Sequence, residues 1–231
     1  MSDANLDFYN KKETADWLAE LPIFAGETAM LDRVRKTPGC RVVDIGCGAG
    51  RLYEPILEAG ANYSGSDIAS GQTSLFKMRH PEADVVVADA CNLPWEDAYA
   101  DVAVLSFHVI EAILPRERRL AALREVRRVL RDEGLLFVSH HVRRRYRPVE
   151  QITYFLRNIG RAEFGDLCIT GNAATGGITL DGYRTHIPSA WELSKLAKKT
   201  GFKRQDRWSF SHSTSHRLSR DLLEQWSAQG S

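Results

Sequence analysis

The chain alternates between short β-branched runs and longer segments whose apolar residues recur every three or four positions. Val42 to Ile45 reads as a buried strand. Glycines at 46, 48 and 50 follow, and then Arg51 to Ala59, a helix pattern with Leu52, Ile56 and Leu57 on one face. Ala61 to Asp67 is a weaker strand ending in an acid, and Ile68 to Arg79 a helix with Leu75 and Met78 inward. Ala83 to Asp89 is again β-branched and ends in an acid. Asp101 to Val109 and Gly134 to His140 read as further strands. Between them Arg116 to Arg131 is amphipathic, with Leu120, Leu123, Val126 and Leu130 on its apolar face. Strands and helices in this alternation predict an α/β fold: a parallel sheet covered on both faces.

The flanks are less regular. Residues 5–36 read as helix in two pieces, with Trp17, Leu18 and Leu21 before Pro22 and Ile23, Phe24, Met30, Leu31 and Val34 beyond it. They are either a plain cover for one sheet edge or a lid, with Tyr9 as the lid contact. Residues 142–188 break the rhythm with a basic run, a helix over Val149–Ile159 and a glycine-rich, hairpin-like section from Gly165 to Arg184. Ser189, with Glu192 three residues on, forms a capping box for a helix from Ala190 to Thr200. Phe202 to Ser211 reads as a strand antiparallel to its neighbour, and Ser219 to Gln229 as a final helix. The expectation is one domain over 1–231: an N-terminal helical cap (1–38), a core (39–141), an insertion at a strand's carboxyl end (142–188) and a C-terminal completion (189–231).

Composition adds exclusions. A net charge of +1 announces no global field for nucleic acid or membrane. Locally, residues 116–147 hold eleven arginines against Glu117, Glu125, Asp132 and Glu133. Cys40, Cys47, Cys91 and Cys168 show no C-x-x-C spacing and do not pair with the seven histidines at ligand spacing, so no metal site is expected. No signal peptide or membrane-length apolar run is present, and a cytoplasmic location follows by default.

The acids carry the chemistry. Asp44, Asp67 and Asp89 each sit at or near a predicted strand end, and Asp67 lies about 20 residues beyond the glycine turn, where a ribose-binding acid belongs. A dinucleotide fingerprint would need glycine at 51, where Arg51 stands, and no phosphate-cradling G-x-x-x-x-G-K-[ST] exists. The stretches VVDIGCGAGR, SGSDIAS, VVVADACNLPW and DVAVLSFHVIEAIL resemble those of class I S-adenosylmethionine-dependent methyltransferases, closely over Arg41 to His140 and loosely over Ala190 to Ser211. LREVRRVLRDEGLLFVSHH resembles that family's fifth-strand region, with Asp132-Glu133-Gly134 in place of its Pro-Gly-Gly turn. Glu111-Ala112 stands where the family often has Glu-His.

The resemblance implies a Rossmann-like three-layer sandwich, with a mostly parallel seven-stranded sheet and an antiparallel edge strand. It implies S-adenosyl-L-methionine as cofactor and S-adenosyl-L-homocysteine as product. Asp67 with Ile68 would hold the ribose, Asp89 with Ala90 and Cys91 the adenine, and Asp44, Gly46, Cys47, Gly48 and Gly50 the methionine end. Phe107 and His108 would lie beside the cofactor, under Tyr9. Candidate bases are His108, His140, His141 and His186, and strand alternation turns one of His140 and His141 away from the site. Glu111, Arg143, Tyr183 and Arg184 are candidate substrate contacts; the plainer readings are a helix-start acid, a solvated basic turn and loop packing. The expected acceptor is a small molecule, and the run Arg143, Arg144, Arg145 and Arg147 leaves open an anionic one. Lys195, Lys198, Lys199, Lys203 and Arg204 keep a tRNA-type acceptor open, and a non-catalytic cofactor-binding regulator is the other alternative. Monomer and homodimer are both open.

Overall fold

The computed structural model describes residues 1–145, 147–172, 178–210 and 221–230, with no account of the Arg145, Asn172, Ser209 and Phe210 side chains. The expected hairpin tip and the residues Ser211 and Ser219 lie outside this set. Three helices come first: α1 (Asp3–Asn10), α2 (Lys12–Ala19) and α3 (Ala25–Val34). The core runs β1 (Arg41–Ile45), α4 (Tyr53–Glu58), β2 (Asn62–Asp67), α5 (Ser70–Arg79), β3 (Val85–Val87), β4 (Ala100–Leu105), α6 (Val109–Ala112), α7 (Arg116–Val129) and β5 (Leu130–His141). The insertion holds a 3-10 turn, α8 (Pro148–Arg157) and the hairpin β6 (Asp166–Asn172) and β7 (Thr179–His186). Then come α9 (Ala190–Lys199), β8 (Phe202–Phe210) and β9 (Asp221–Ala228).

Seven strands form one sheet in the order β3-β2-β1-β4-β5-β9-β8. The first five pair in parallel, and β9 runs opposite to both β5 and the edge strand β8. Side-chain alternation builds the two faces. Val42, Val102 and Phe137 pack with Met30, Ile56 and Phe76 of α3, α4 and α5. Val43, Ala103 and Leu136 pack with Leu123 and Val126 of α7 and Leu193 of α9. The hairpin stands outside the sheet, where Leu167, Ile169 and Leu180 close over Phe8 of α1.

Several expectations are corrected. Ser219 to Gln229 contains a strand, β9, not a helix. Leu222, Leu223 and Trp226 imitate helical spacing, but this strand is covered on both faces, and Glu224 and Ser227 in its interior have hydrogen-bond partners. The Trp226 indole donates to Glu224 at 2.9 Å, and Gln205 donates to Ser227 Oγ at 2.6 Å. The N-terminal segment folds as three helices, not two. Leu57 and Met78, expected inward, are 42% and 68% exposed. Ser189 caps α9 by accepting from Glu192 N at 3.1 Å, but the Glu192 carboxylate turns to other partners and does not complete the capping box.

Candidate active site

The glycine turn leaves β1 so tightly that only glycine fits. Gly46 has φ +75°, and a Cβ there would stand 2.5 Å from the Val109 side chain; at Gly50, φ +90°, it would stand 2.6 Å from the Phe76 ring. The turn is tied to β2 by Gly46 N and Cys47 N, which both donate to Ser66 O at 2.7 and 3.0 Å. Above it lies a crevice enclosing about 1030 Å³, part of it open to solvent. Tyr9, Asp44, Gly46, Cys47, Gly48, Asp67, Ile68, Asp89, Ala90 and Phe107 all line it. Gly50, Cys91 and His108 do not. Gly50 is packed under Phe76, Cys91 holds Asp89 through its N–H at 2.9 Å, and His108 is turned to a neighbouring cluster.

The acids of the crevice differ in state. Asp44 is buried, and burial pushes its pKa up to about 7 against one hydrogen bond, from the Tyr63 hydroxyl at 3.1 Å. Burial also raises Asp67, although Ala69 N and Gly48 N donate to it at 2.8 and 2.9 Å. Its carboxylate has further acceptor positions beyond these two. Asp89 is only partly buried. Burial works against its charge, but the Cys91 N–H and the Arg118 guanidinium hold it below the ordinary range. Two buried carboxyls beside one glycine turn favour a cationic ligand, which would supply the compensation that burial removes.

Three lining residues, Arg51, Gln72 and Arg118, carry no site role in the sequence reading. Arg51 donates to Glu27 through both terminal nitrogens and lies over the Phe24 and Phe107 rings at 5.4 and 5.7 Å. Glu27, on α3, also accepts from Ser106 Oγ and Phe24 N. This clasp pins the N-terminal cap to the glycine turn. An acid inside the apolar run Phe24–Val34 was its signal. Gln72 of α5 donates to Tyr9 O at 2.9 Å and joins the cap to the crevice wall. Arg118 reaches Asp89 from the first turn of α7, with no sequence signal.

His108 and His141 meet at the carboxyl ends of β4 and β5. Their rings stack with centroids 3.8 Å apart, and each Nε2 lies 3.6 Å from Asp221 Oδ1 at the start of β9. Glu111 of α6 accepts from His141 N at 2.6 Å and bonds its Nδ1 at 2.8 Å. Burial opposes both charges, yet the pairing holds Glu111 below and His141 above their ordinary values. Asp221 carries no site signal in the sequence, because the apolar spacing of its segment predicts helix. His140 points to the opposite face of β5, where its Nε2 lies 3.7 Å from Glu224.

The remaining candidates gather elsewhere. His186 is buried between Asp166, at 2.6 Å from Nδ1, and Glu192, at 2.9 Å from Nε2. Arg143 donates to Glu192 at 2.7 Å and to Ile187 O at 2.6 Å, and fully buried Arg119 joins Glu163 and Glu192. Arg143 and His186 therefore anchor the insertion to α7 and α9, away from the crevice. Tyr183 meets the Tyr9 hydroxyl at 2.8 Å, so the hairpin rests on the crevice's cover. Arg184 binds Asn5 through its backbone, and its side chain reaches the Tyr154 hydroxyl at 3.4 Å.

Comparison with known proteins agrees with this geometry. A family described as a methyltransferase domain matches residues 43–138. A demethylmenaquinone methyltransferase of Paenarthrobacter aurescens is 31% identical over 110 residues, 48% of this chain and 42% of that protein. A probable tRNA methyltransferase 9B of Mus musculus is 35% identical over 101 residues, 44% of this chain and 22% of that protein. The chain spans about half or less of the length of these curated relatives. A crystal structure of an S-adenosylmethionine-dependent methyltransferase from Methanosarcina mazei superposes with a TM-score of 0.71 at 18% identity, covering 84% of this chain and 95% of that one. No helix among the described residues is long and apolar enough to cross a membrane. Residues 43–138 thus match the family described as a methyltransferase domain, and the chain shares the fold of the Methanosarcina S-adenosylmethionine-dependent methyltransferase.

Proposed function

We propose that this protein transfers a methyl group from S-adenosylmethionine to a small-molecule acceptor. The observation that carries the reading is the pair of carboxyls Asp44, held by one hydrogen bond from Tyr63, and Asp67, with acceptor positions beyond its two backbone bonds, flanking a glycine turn in a crevice that Asp89 and Ala90 also line. These residues fit the group. Asp67 offers acceptors for ribose hydroxyls, Asp89 and Ala90 lie where an adenine edge would be read, and Asp44 faces the cationic methionine end. When bound, the cofactor supplies a methyl carbon already activated by its positive sulfur.

The chain's own task is then positioning, water exclusion and proton removal. Tyr9, Gln72 and the Arg51–Glu27 clasp hold the cover against the turn. Two imidazoles stacked 3.8 Å apart do not both carry charge cheaply. The stacked pair would therefore hold one proton at a time, and in its neutral form it could take the acceptor's proton, which Glu111 favours on His141. The acceptor's electron pair would then be free for the methyl group that the bound cofactor supplies. Asp221, near both Nε2 atoms, would stabilise the imidazolium formed.

A compact acceptor is supported by the hairpin β6–β7 resting on Tyr9 through Tyr183. A tRNA-type acceptor has its support in the mouse relative and in the lysines of α9. Incubation with methyl-labelled S-adenosylmethionine and, separately, metabolite and tRNA pools tests the reading. Label in a small molecule supports it, label in tRNA transfers it to the second reading, and label in neither leaves a non-catalytic cofactor-binding protein.

A further inference from the structure

We propose that α8 is a docking helix that seats the protein on the surface of an anionic lipid bilayer. The inference is independent of the acceptor and of the methyl transfer itself.

A helix on a globular protein ordinarily buries its apolar stripe. In α8 the arrangement is reversed. Its one buried residue is Gln151, whose amide donates to Arg143 O at 3.1 Å. Val149, Ile152 and Leu156, with Ile159 just beyond the helix end, are 70%, 48%, 60% and 68% exposed. Their spacing of three, four and three places them in one stripe that faces outward. Phe164, half exposed, extends it, with its ring edge against Phe155 at 5.6 Å. Apolar side chains scattered singly over a surface need no explanation; a contiguous stripe of them does.

Charge selects the occupant. From Arg143 to Arg161 the chain carries six arginines and one acid, Glu150. Arg143 is committed to Glu192 and Arg147 pairs with Glu150 at the surface, whereas Arg144, Arg157 and Arg161 are exposed beside the helix. A second copy docked about a two-fold axis would bring these arginines against their own counterparts. A bilayer surface with anionic headgroups suits both features. The aliphatic stripe enters the headgroup–acyl boundary, while the arginines reach up to phosphates along their own apolar stems. A helix of ten residues is too short to cross a bilayer, so α8 would lie on the surface.

The position of α8 gives docking a consequence. Arg184 of β7 donates to the Tyr154 hydroxyl of α8 at 3.4 Å, and β7 carries Tyr183, the partner of Tyr9 over the crevice. A bilayer held by α8 therefore lies beside the cover of the cofactor crevice, where an amphiphilic acceptor could enter without crossing water.

The test is flotation of the full chain with neutral phosphatidylcholine vesicles and with vesicles containing phosphatidylglycerol. The expected result is about tenfold stronger partitioning onto the anionic vesicles, weakened by high salt. It should fall about tenfold in the double variant Ile152→Ser/Leu156→Ser. An unchanged thermal midpoint shows that this variant folds; if it does not, Arg157→Glu/Arg161→Glu reads the same surface. Three results overturn the proposal: no partitioning onto either vesicle, partitioning that both variants leave unchanged, or a native dimer that Ile152→Ser/Leu156→Ser dissociates, which would assign the stripe to a second copy.

Discussion

Replacing Asp44 with asparagine should stabilise the ligand-free protein, and only above acidic pH. Asp44 is fully buried, and its one hydrogen bond among the described residues is from Tyr63. Its pKa is about 7, against an ordinary 3.8. At about 1.4 kcal/mol for each tenfold change in proton affinity, ionising this carboxyl costs the native state up to about 4 kcal/mol. The sign follows from linkage: between the two values the native state holds a proton that the unfolded state has released, so stability falls as pH rises. The contribution is fully present below 3.8 and lost by the time the pH has passed about 7. Asparagine keeps the shape, still accepts from Tyr63 and never ionises. Urea denaturation of both proteins from pH 4 to pH 8 should give similar stabilities at the acid end, with the variant ahead by as much as about 4 kcal/mol at the alkaline end. Parallel curves would refute the reasoning. The same proton should be released when a cationic cofactor binds, so native affinity should rise about tenfold per pH unit below 7, and that of Asp44→Asn should stay flat.

Arg51→Gly, which installs the residue of a dinucleotide-binding turn, should destabilise the protein by about 3 kcal/mol in urea, because Glu27 is left charged and buried; adding Glu27→Gln should recover much of the loss. His186→Gln should cost about 2 kcal/mol by removing charged hydrogen bonds. The histidine's pKa is raised, so that loss should be largest below 6.5 and shrink as pH rises through the folded value. Glu111→Gln should release His141 from its charge and lower kcat more than KM; equal kcat values across the pH range would remove the cluster from catalysis.

Legibility in the sequence followed the range of the interaction. The glycine turn, the acids at successive strand ends and the helix of α7 are set by local sequence, and all were readable. His140 and His141 show the limit. Alternation predicts that one of them faces away, but which one depends on how β5 lies between β4 and β9. β9 reads as helix because a strand covered on both faces has no reason to alternate apolar with polar residues, and the partners of its Glu224 and Ser227 include Arg204 and Gln205 of the neighbouring strand. Asp221 was lost with it. Arg51 was read as the absence of a glycine; its use, closing on Glu27, depends on a contact 24 residues back in the chain. Arg143, a candidate substrate contact, and His186, a candidate base, have Glu192, Asp166 and Ile187 as partners, which local sequence does not reveal.

Calorimetric titration of the native chain and of Asp67→Ala with S-adenosylmethionine tests the central claim most directly. The account predicts saturable one-site binding to the native protein and at least about a tenfold weaker response in the variant, which loses charge-assisted hydrogen bonds to the ligand. No heat with the native chain, or equal affinity for both proteins, would contradict it.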